Sequence, residues 1–171
     1  MRTATTLGLL AAWTATAGCG YRAGPLTSET YRTVAVSVFG NDSFRREIER
    51  ELTRSVLEEV QARSSLRVVA DPAAADVHLT GRIIRFDERV LMEGRRNEVI
   101  ESSIVARVEV TYRSAGEESP RTRTFDATEP YATSTGQSLA SATAELFENL
   151  AERIVYALDD DWSELAGPER P

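Results

Sequence analysis

Between Val99 and Tyr112 the chain alternates almost without a break. Ile100, Ser102, Ile104, Ala106, Val108, Val110 and Tyr112 fall on one side of an extended backbone, and Val99, Glu101, Ser103, Val105, Arg107, Glu109 and Thr111 on the other. A period of two sustained over this length excludes a helix, whose side chains return to one face only every 3.6 residues. The segment predicts a strand with one buried and one largely wet face, as in an antiparallel sheet covered on one side. At about 3.4 Å per residue it reaches some 45 Å, longer than a small core needs, so part of the hairpin should project or bend.

Two segments supply the cover. After Gly40-Asn41-Asp42-Ser43, where Asp42 or Ser43 suits a helix N-cap, Phe44, Ile48, Leu52, Val56 and Val60 recur every four residues with Leu57 beside them. Arginines and glutamates fill the other positions, the pattern of a solvated face. The second apolar stripe starts near Gln137 or Ser138 and places Leu139, Ala142, Leu146, Leu150, Ile154 and Leu158 together, with Phe147 and Val155 at its edges. Asp159-Asp160-Asp161 is badly placed for the negative end of that helix and predicts fraying or solvent exposure there.

Further strands are expected over Thr33 to Phe39, Ser64 to Val69, Asp76 to Phe86 and Arg121 to Thr128. In the third, Val77, Leu79, Gly81 and Ile83 oppose His78, Thr80, Arg82, Ile84 and Phe86, and Gly81 suggests a bulge or a closely packed helix. Asp87 to Glu98 reads as a loop or flaring hairpin tip carrying Arg89, Arg95 and Arg96, while Ser114 to Pro120 and Tyr131 to Gly136 read as polar connections. The order strand, helix, four strands, helix gives an α+β fold: two helices packed on one face of a four- or five-stranded, mostly antiparallel sheet.

The start of the chain has a different character. Met1 and Arg2 are followed by an uncharged stretch to Ala17 that includes Leu7-Gly8-Leu9-Leu10, the layout of an export signal and too short and Thr/Ala-rich for a membrane span. Thr16-Ala17-Gly18-Cys19 resembles a bacterial lipobox, with Thr16 where such signals usually carry Leu. Cys19 is the single cysteine, so there is no intrachain disulfide, and lipidation would remove an exposed reactive thiol. The expected organisation is a signal over 1–18, a lipidated tether over 19–31, one domain over 32–160 and a flexible tail over 161–171. Gly20 after the cysteine, rather than Asp, favours the outer membrane.

All 20 basic residues are arginine, against 27 acids and a net charge of −7. Such a balance argues against a general nucleic-acid binder, which needs a basic surface. It leaves room for a local patch, because the planar guanidinium fork suits phosphates and anionic headgroups. Arg82, Arg85, Arg89, Arg95, Arg96 and Arg107 are the candidates for such an anionic-lipid contact.

Catalysis finds little support. One His and one Cys are too few for a metal centre. His78 lacks a nucleophile or orienting partner fixed by spacing, and no phosphate-binding Gly-rich loop occurs. The acidic pairs Asp87/Glu88 and Glu117/Glu118 fall in turns, where their ionisation should be ordinary. The expectation is a non-enzymatic protein without a cofactor.

Taken together, several segments resemble the LptE family of lipopolysaccharide-assembly outer-membrane lipoproteins. They are Cys19-Gly20-Tyr21, Tyr31-Arg32-Thr33-Val34-Ala35-Val36 with Phe39, Phe44-Arg45-Arg46-Glu47-Ile48-Glu49, Ala75-Asp76-Val77-His78-Leu79-Thr80-Gly81-Arg82-Ile83 and Val108-Glu109-Val110-Thr111-Tyr112. The resemblance implies two helices on a four-stranded sheet, seated as a plug in an LptD-like outer-membrane β-barrel that delivers lipopolysaccharide to the cell surface. It implies that barrel as partner, lipopolysaccharide as a further ligand, attachment by Cys19 to the periplasmic face of the outer membrane, and no nucleic acid. A second resemblance, through Val34-Ala35-Val36 near Phe39 and Ala75 to Gly81, is to envelope domains of the CsgG and TolB amino-terminal type, which implies secretion or scaffolding. A small-ligand binder or enzyme is the third reading and requires a closed pocket.

Overall fold

The structure is a computed structural model describing residues 31–95, 99–116 and 119–165, with side chains to residue 158. Cys19, the tether ahead of Tyr31, Arg96, Glu117, Glu118 and the chain after Leu165 lie outside the described residues. The elements are β1 (Thr33–Val36), β2 (Gly40–Asn41), α1 (Ile48–Arg63), β3 (Arg67–Val68), β4 (Val77–Glu93), β5 (Val99–Ser114), β6 (Arg121–Ala132) and α2 (Leu139–Leu165), with single 3-10 turns at Pro72–Ala74 and Thr133–Thr135.

One six-stranded sheet runs in the order β3-β1-β4-β5-β6. β1 and β2 are two short pieces in one lane, both parallel to β4. β3 is parallel to β1, whereas β4-β5-β6 forms a long antiparallel meander. Both helices cover one face and pack on each other. The even-numbered side chains of β5 from Ser102 to Ser114 are all buried, as the alternation requires.

In the core Ile48, Leu52, Val56 and Val60 of α1 and Ala142, Leu146, Leu150, Ile154 and Leu158 of α2 meet Val77, Leu79, Ile83, Ile104, Val108 and Val110 of the sheet. Burying each Leu or Ile stabilises the fold by about 1.5–3 kcal/mol, so the two stripes are the main reason the helices lie where they do. Phe86 of β4 packs on Phe147 of α2, ring centroids 6.1 Å apart, and is the last buried residue of β4.

Four departures from the sequence expectation have local causes. First, the opening strand breaks after Val36 because Phe39 turns into the core, its N–H donating to Thr53 Oγ1 at 3.0 Å. Gly81 makes the room: a Cβ there would sit 2.5 Å from the Phe39 ring, so the close neighbour is this ring and not a helix. Second, α1 starts at Ile48, after Glu47 at φ 70°, and neither Asp42 nor Ser43 caps it. The Asn41 side chain donates to the Arg45 carbonyl at 2.6 Å and accepts from the Ser43 N–H at 2.9 Å, holding 42–46 in a non-helical turn. Phe44 is thereby excluded from the stripe and stands fully exposed.

Third, the register of β4 against β5 shifts between Ile83 and Arg85. The extra residue moves Phe86 to the helix side, opposite the face that simple alternation gives, and sends Ile84 outward. Fourth, both C-terminal elements run longer than expected. β6 continues through Pro130, which sits on the sheet's edge strand where a missing N–H is tolerated, to a buried Tyr131. α2 continues to Leu165 through the three aspartates. Extending a formed helix adds one hydrogen bond per residue, and this outweighs a dipole penalty of roughly 0.3–1 kcal/mol per charge.

Candidate functional site

The face of the sheet away from the helices collects four of the six expected arginines. Arg82, Arg85 and Arg89 come from β4 and Arg107 from β5, and the bulge at Ile84 is what turns Arg85 and Arg89 to the same side as Arg82. Arg85 and Arg107 are direct cross-strand neighbours, a repulsive placement unless anions compensate.

The anions are the protein's own. Arg107 grips Asp126 through two bonds, Nε–Oδ1 at 2.7 Å and Nη2–Oδ2 at 3.1 Å. That hydrogen bonding holds the Asp126 carboxyl below its ordinary range and raises the Arg107 guanidinium. Arg85 pairs with Asp87, and Arg82 with Asp42 at 3.2 Å. Three of the expected lipid contacts are therefore occupied by intramolecular ion pairs. Arg89 and Arg95 are exposed and have no ion pair among the described residues, and they lie where β4 and β5 rise towards their turn.

Of the two readings of 87–98, loop or flaring hairpin tip, the structure gives the hairpin, with β4 running as far as Glu93. It carries Val90, Leu91, Met92 and Val99, all substantially exposed, with Leu91 at 58%. The charged residues of 87–98 dominate its sequence pattern, and Val90-Leu91-Met92 is the local signal of this apolar content. At the hairpin base Tyr131 donates its phenol proton to Glu88. Burial first, then this carboxylate, pushes the Tyr131 phenol up.

His78 has a partner that spacing did not show: its Nε2 lies 2.8 Å from Ser37 Oγ across β1 and β4. Among the described residues no carboxylate is bonded to the imidazole, and the pair lies on the open sheet face, so the arrangement works as a cross-strand tie. Asp76 is the most heavily bonded carboxylate described. Its Oδ2 accepts from the N–H groups of Arg32 and Thr33 and from Thr33 Oγ1, all at 2.8–2.9 Å, which holds its carboxyl below the ordinary range. It clamps the point where the chain enters the domain.

Two clefts among the described residues are shallow. One of about 340 Å³ lies between the helices, lined by Glu58, Glu59, Glu148 and Glu152, and one of about 430 Å³ borders the Asn41–Glu49 turn. Among the described residues no group of three or more His, Cys, Asp or Glu is placed to hold a metal, and no helix is long and apolar enough to cross a membrane.

Comparison with known proteins places this geometry. The sequence profile of the family described as LptE, lipopolysaccharide-assembly, matches residues 31–158. The fold is similar to the rare lipoprotein B from Shewanella oneidensis, with TM-score 0.52 and 18% identity over 77% of this chain and 98% of that one. It is similar to an uncharacterized lipoprotein B from Nitrosomonas europaea, with TM-score 0.54 and 14% identity over 85% and 93%. The PelC dodecamer subunit from Paraburkholderia phytofirmans gives TM-score 0.51 and 14% identity over 75% and 92%. No curated protein sequence matches.

Proposed function

The chain belongs to the LptE family of lipopolysaccharide-assembly proteins, and on that premise we propose that it is a non-enzymatic outer-membrane lipoprotein that partners an LptD-like β-barrel in delivering lipopolysaccharide to the cell surface. The observation that carries this reading is the extent of the family match, which runs from the Asp76 clamp region at Tyr31 to the last described core residue, Leu158. The whole two-helix, one-sheet unit is thus the family's unit. The open sheet face, where Arg82, Arg85 and Arg107 are already paired with aspartates, suits contact with a polar barrel lumen.

In this reading Cys19 carries the lipid, and about twelve residues of tether lead from the periplasmic face of the outer membrane to Tyr31. Direct contact with lipopolysaccharide phosphates falls to Arg89, Arg95 and Arg96, because Arg82, Arg85 and Arg107 are held by Asp42, Asp87 and Asp126. The test is depletion of the protein in its own host. Surface lipopolysaccharide should fall and be restored by the wild-type chain, while a Cys19→Ser chain should lose acylation and membrane attachment. Normal surface lipopolysaccharide after depletion would refute the function, and retained acylation in Cys19→Ser would refute the anchor.

A further inference from the structure

The two long edges of the sheet are finished differently. β6 borders it on one side, and above Ile83, where the lane of β1 and β2 ends at Asn41, β4 borders it on the other. Bonds outside the ladders show which backbone groups these edges turn outward. Asp126 of β6 gives its carbonyl to the Arg153 side chain, so it turns away from β5, and its neighbour Arg107 turns towards β4. Below the bulge the same alternation turns Leu79 and Ile83 outward, and their carbonyls accept from the Ser37 and Asp42 N–H groups. The shift at Ile84 moves the outward positions of β4 to Phe86, Glu88 and Val90.

On β6 the outward positions are guarded. The Asp126 carbonyl is occupied by Arg153 at 2.6 Å, and Pro130 has no N–H to offer. On β4 they are open. The backbone N–H and C=O groups of Phe86, Glu88 and Val90 have no partner among the described residues. The open stretch runs from Arg85 to Leu91, about 23 Å at roughly 3.3 Å per residue. An unpaired edge of this length beside the exposed Val90 and Leu91 is a template for one more strand.

Unpaired backbone groups select what can cover them. The acyl region of a bilayer offers neither donors nor acceptors and would leave this edge unsatisfied. A second copy laid antiparallel about Glu88 sets two carboxylates against each other and brings its Glu93 opposite Ile83, where Asn41 already fills the lane. The chain's own ends lie elsewhere. Arg32 is bonded to Asp76 at the far end of β4, and α2 passes Glu129 at Asn149 and then Asp126 at Arg153 as it descends towards that same end. An extended segment of a partner protein satisfies the edge, and since the closed wall of a barrel has no free strand of its own, that segment comes from outside the wall.

We propose that an extended segment of the barrel partner, from outside its closed wall, adds as a strand to β4 between Arg85 and Leu91, bonding the backbone of Phe86, Glu88 and Val90 and setting an apolar side chain against Val90. This strand addition rests on the barrel partnership and deepens it, and Arg89, which points to the open face, stays available to lipopolysaccharide. The test uses the complex of the tagged full-length chain with its barrel, purified from native membranes, beside the same chain prepared without the barrel. Amide exchange, read at single residues by electron-transfer fragmentation, should slow about tenfold or more in the complex at Phe86, Glu88 and Val90, while Asp87 and Arg89, whose N–H groups already bond β5, change little. Glu88→Pro removes one outward N–H, and Pro130 shows that this sheet accepts proline at such a position. The variant should lower the recovered barrel about tenfold, the order of one lost hydrogen bond, and Glu88→Ala, which keeps the N–H, should not. Uniform slowing across 85–91, as a covering surface without a strand would give, would overturn the proposal. Unchanged exchange in a complex that still holds the barrel would overturn it too and leave the barrel partnership standing, whereas recovery of no barrel would remove both.

Discussion

The lower and upper halves of β4 are one strand with two fates. From Val77 to Ile83 the inward side chains of Val77, Leu79 and Ile83 are completely buried beneath two helices, while from Arg85 to Glu93 only Phe86 is buried and three consecutive apolar residues stand in water. Composition does not separate them, since Val77-His78-Leu79 and Val90-Leu91-Met92 are both apolar-rich. What separates them is how far the cover reaches over β4: past the Phe86–Phe147 contact no β4 side chain is buried, although Ser102 and Ile104 of β5 and Tyr131 of β6, higher on the sheet, still are. On β4 an inward-facing apolar residue below that contact holds the fold, whereas Val90, Leu91 and Met92 above it stand exposed.

Substitutions can break this contrast. Leu79→Ala, at a fully buried site, should cost about 2–5 kcal/mol of stability, read from chemical denaturation. Gly81→Ala should follow at about 1–3 kcal/mol, because the new methyl meets the buried Phe39 ring. Leu91→Ala should stay within about 0.5 kcal/mol of the parent. A cost at Leu91 equal to that at Leu79 would mean that the upper half is packed in the free protein, and the division would fail.

The smallest effect concerns the entry clamp. The Asp76 carboxyl titrates below its ordinary value of 3.8 in the fold, so its contribution is fully present above that value and is lost as pH falls through the lower folded value. Asp76→Asn should therefore flatten the acid end of the stability–pH curve and remove part of the neutral-pH stability. A variant whose acid limb overlays the parent's would show that the clamp does not form.

Much of the lower half was legible from residue order. The alternation of Val99 to Tyr112 and the stripes at Ile48 to Val60 and Leu139 to Leu158 are local patterns, and the helix-covered sheet follows from them. The arginines on the sheet were found as well, but pairing across strands is not local: nothing in the spacing of Arg107 and Asp126, or of Arg82 and Asp42, announces a contact that depends on register. The bulge at Ile84 inverted the face of Phe86, and one asparagine diverted Phe44 from the helix. Both are single-residue events that periodicity averages away. The Ser37–His78 tie joins residues 41 apart in the chain, which only the pairing of β1 with β4 brings together.

The account as a whole stands on the barrel partnership. Purification of the tagged full-length protein from its native membranes in mild detergent, followed by mass determination of the intact complex, tests it most directly. One copy of this chain with one large outer-membrane β-barrel is the predicted result, and a homo-oligomeric ring without a barrel would contradict it.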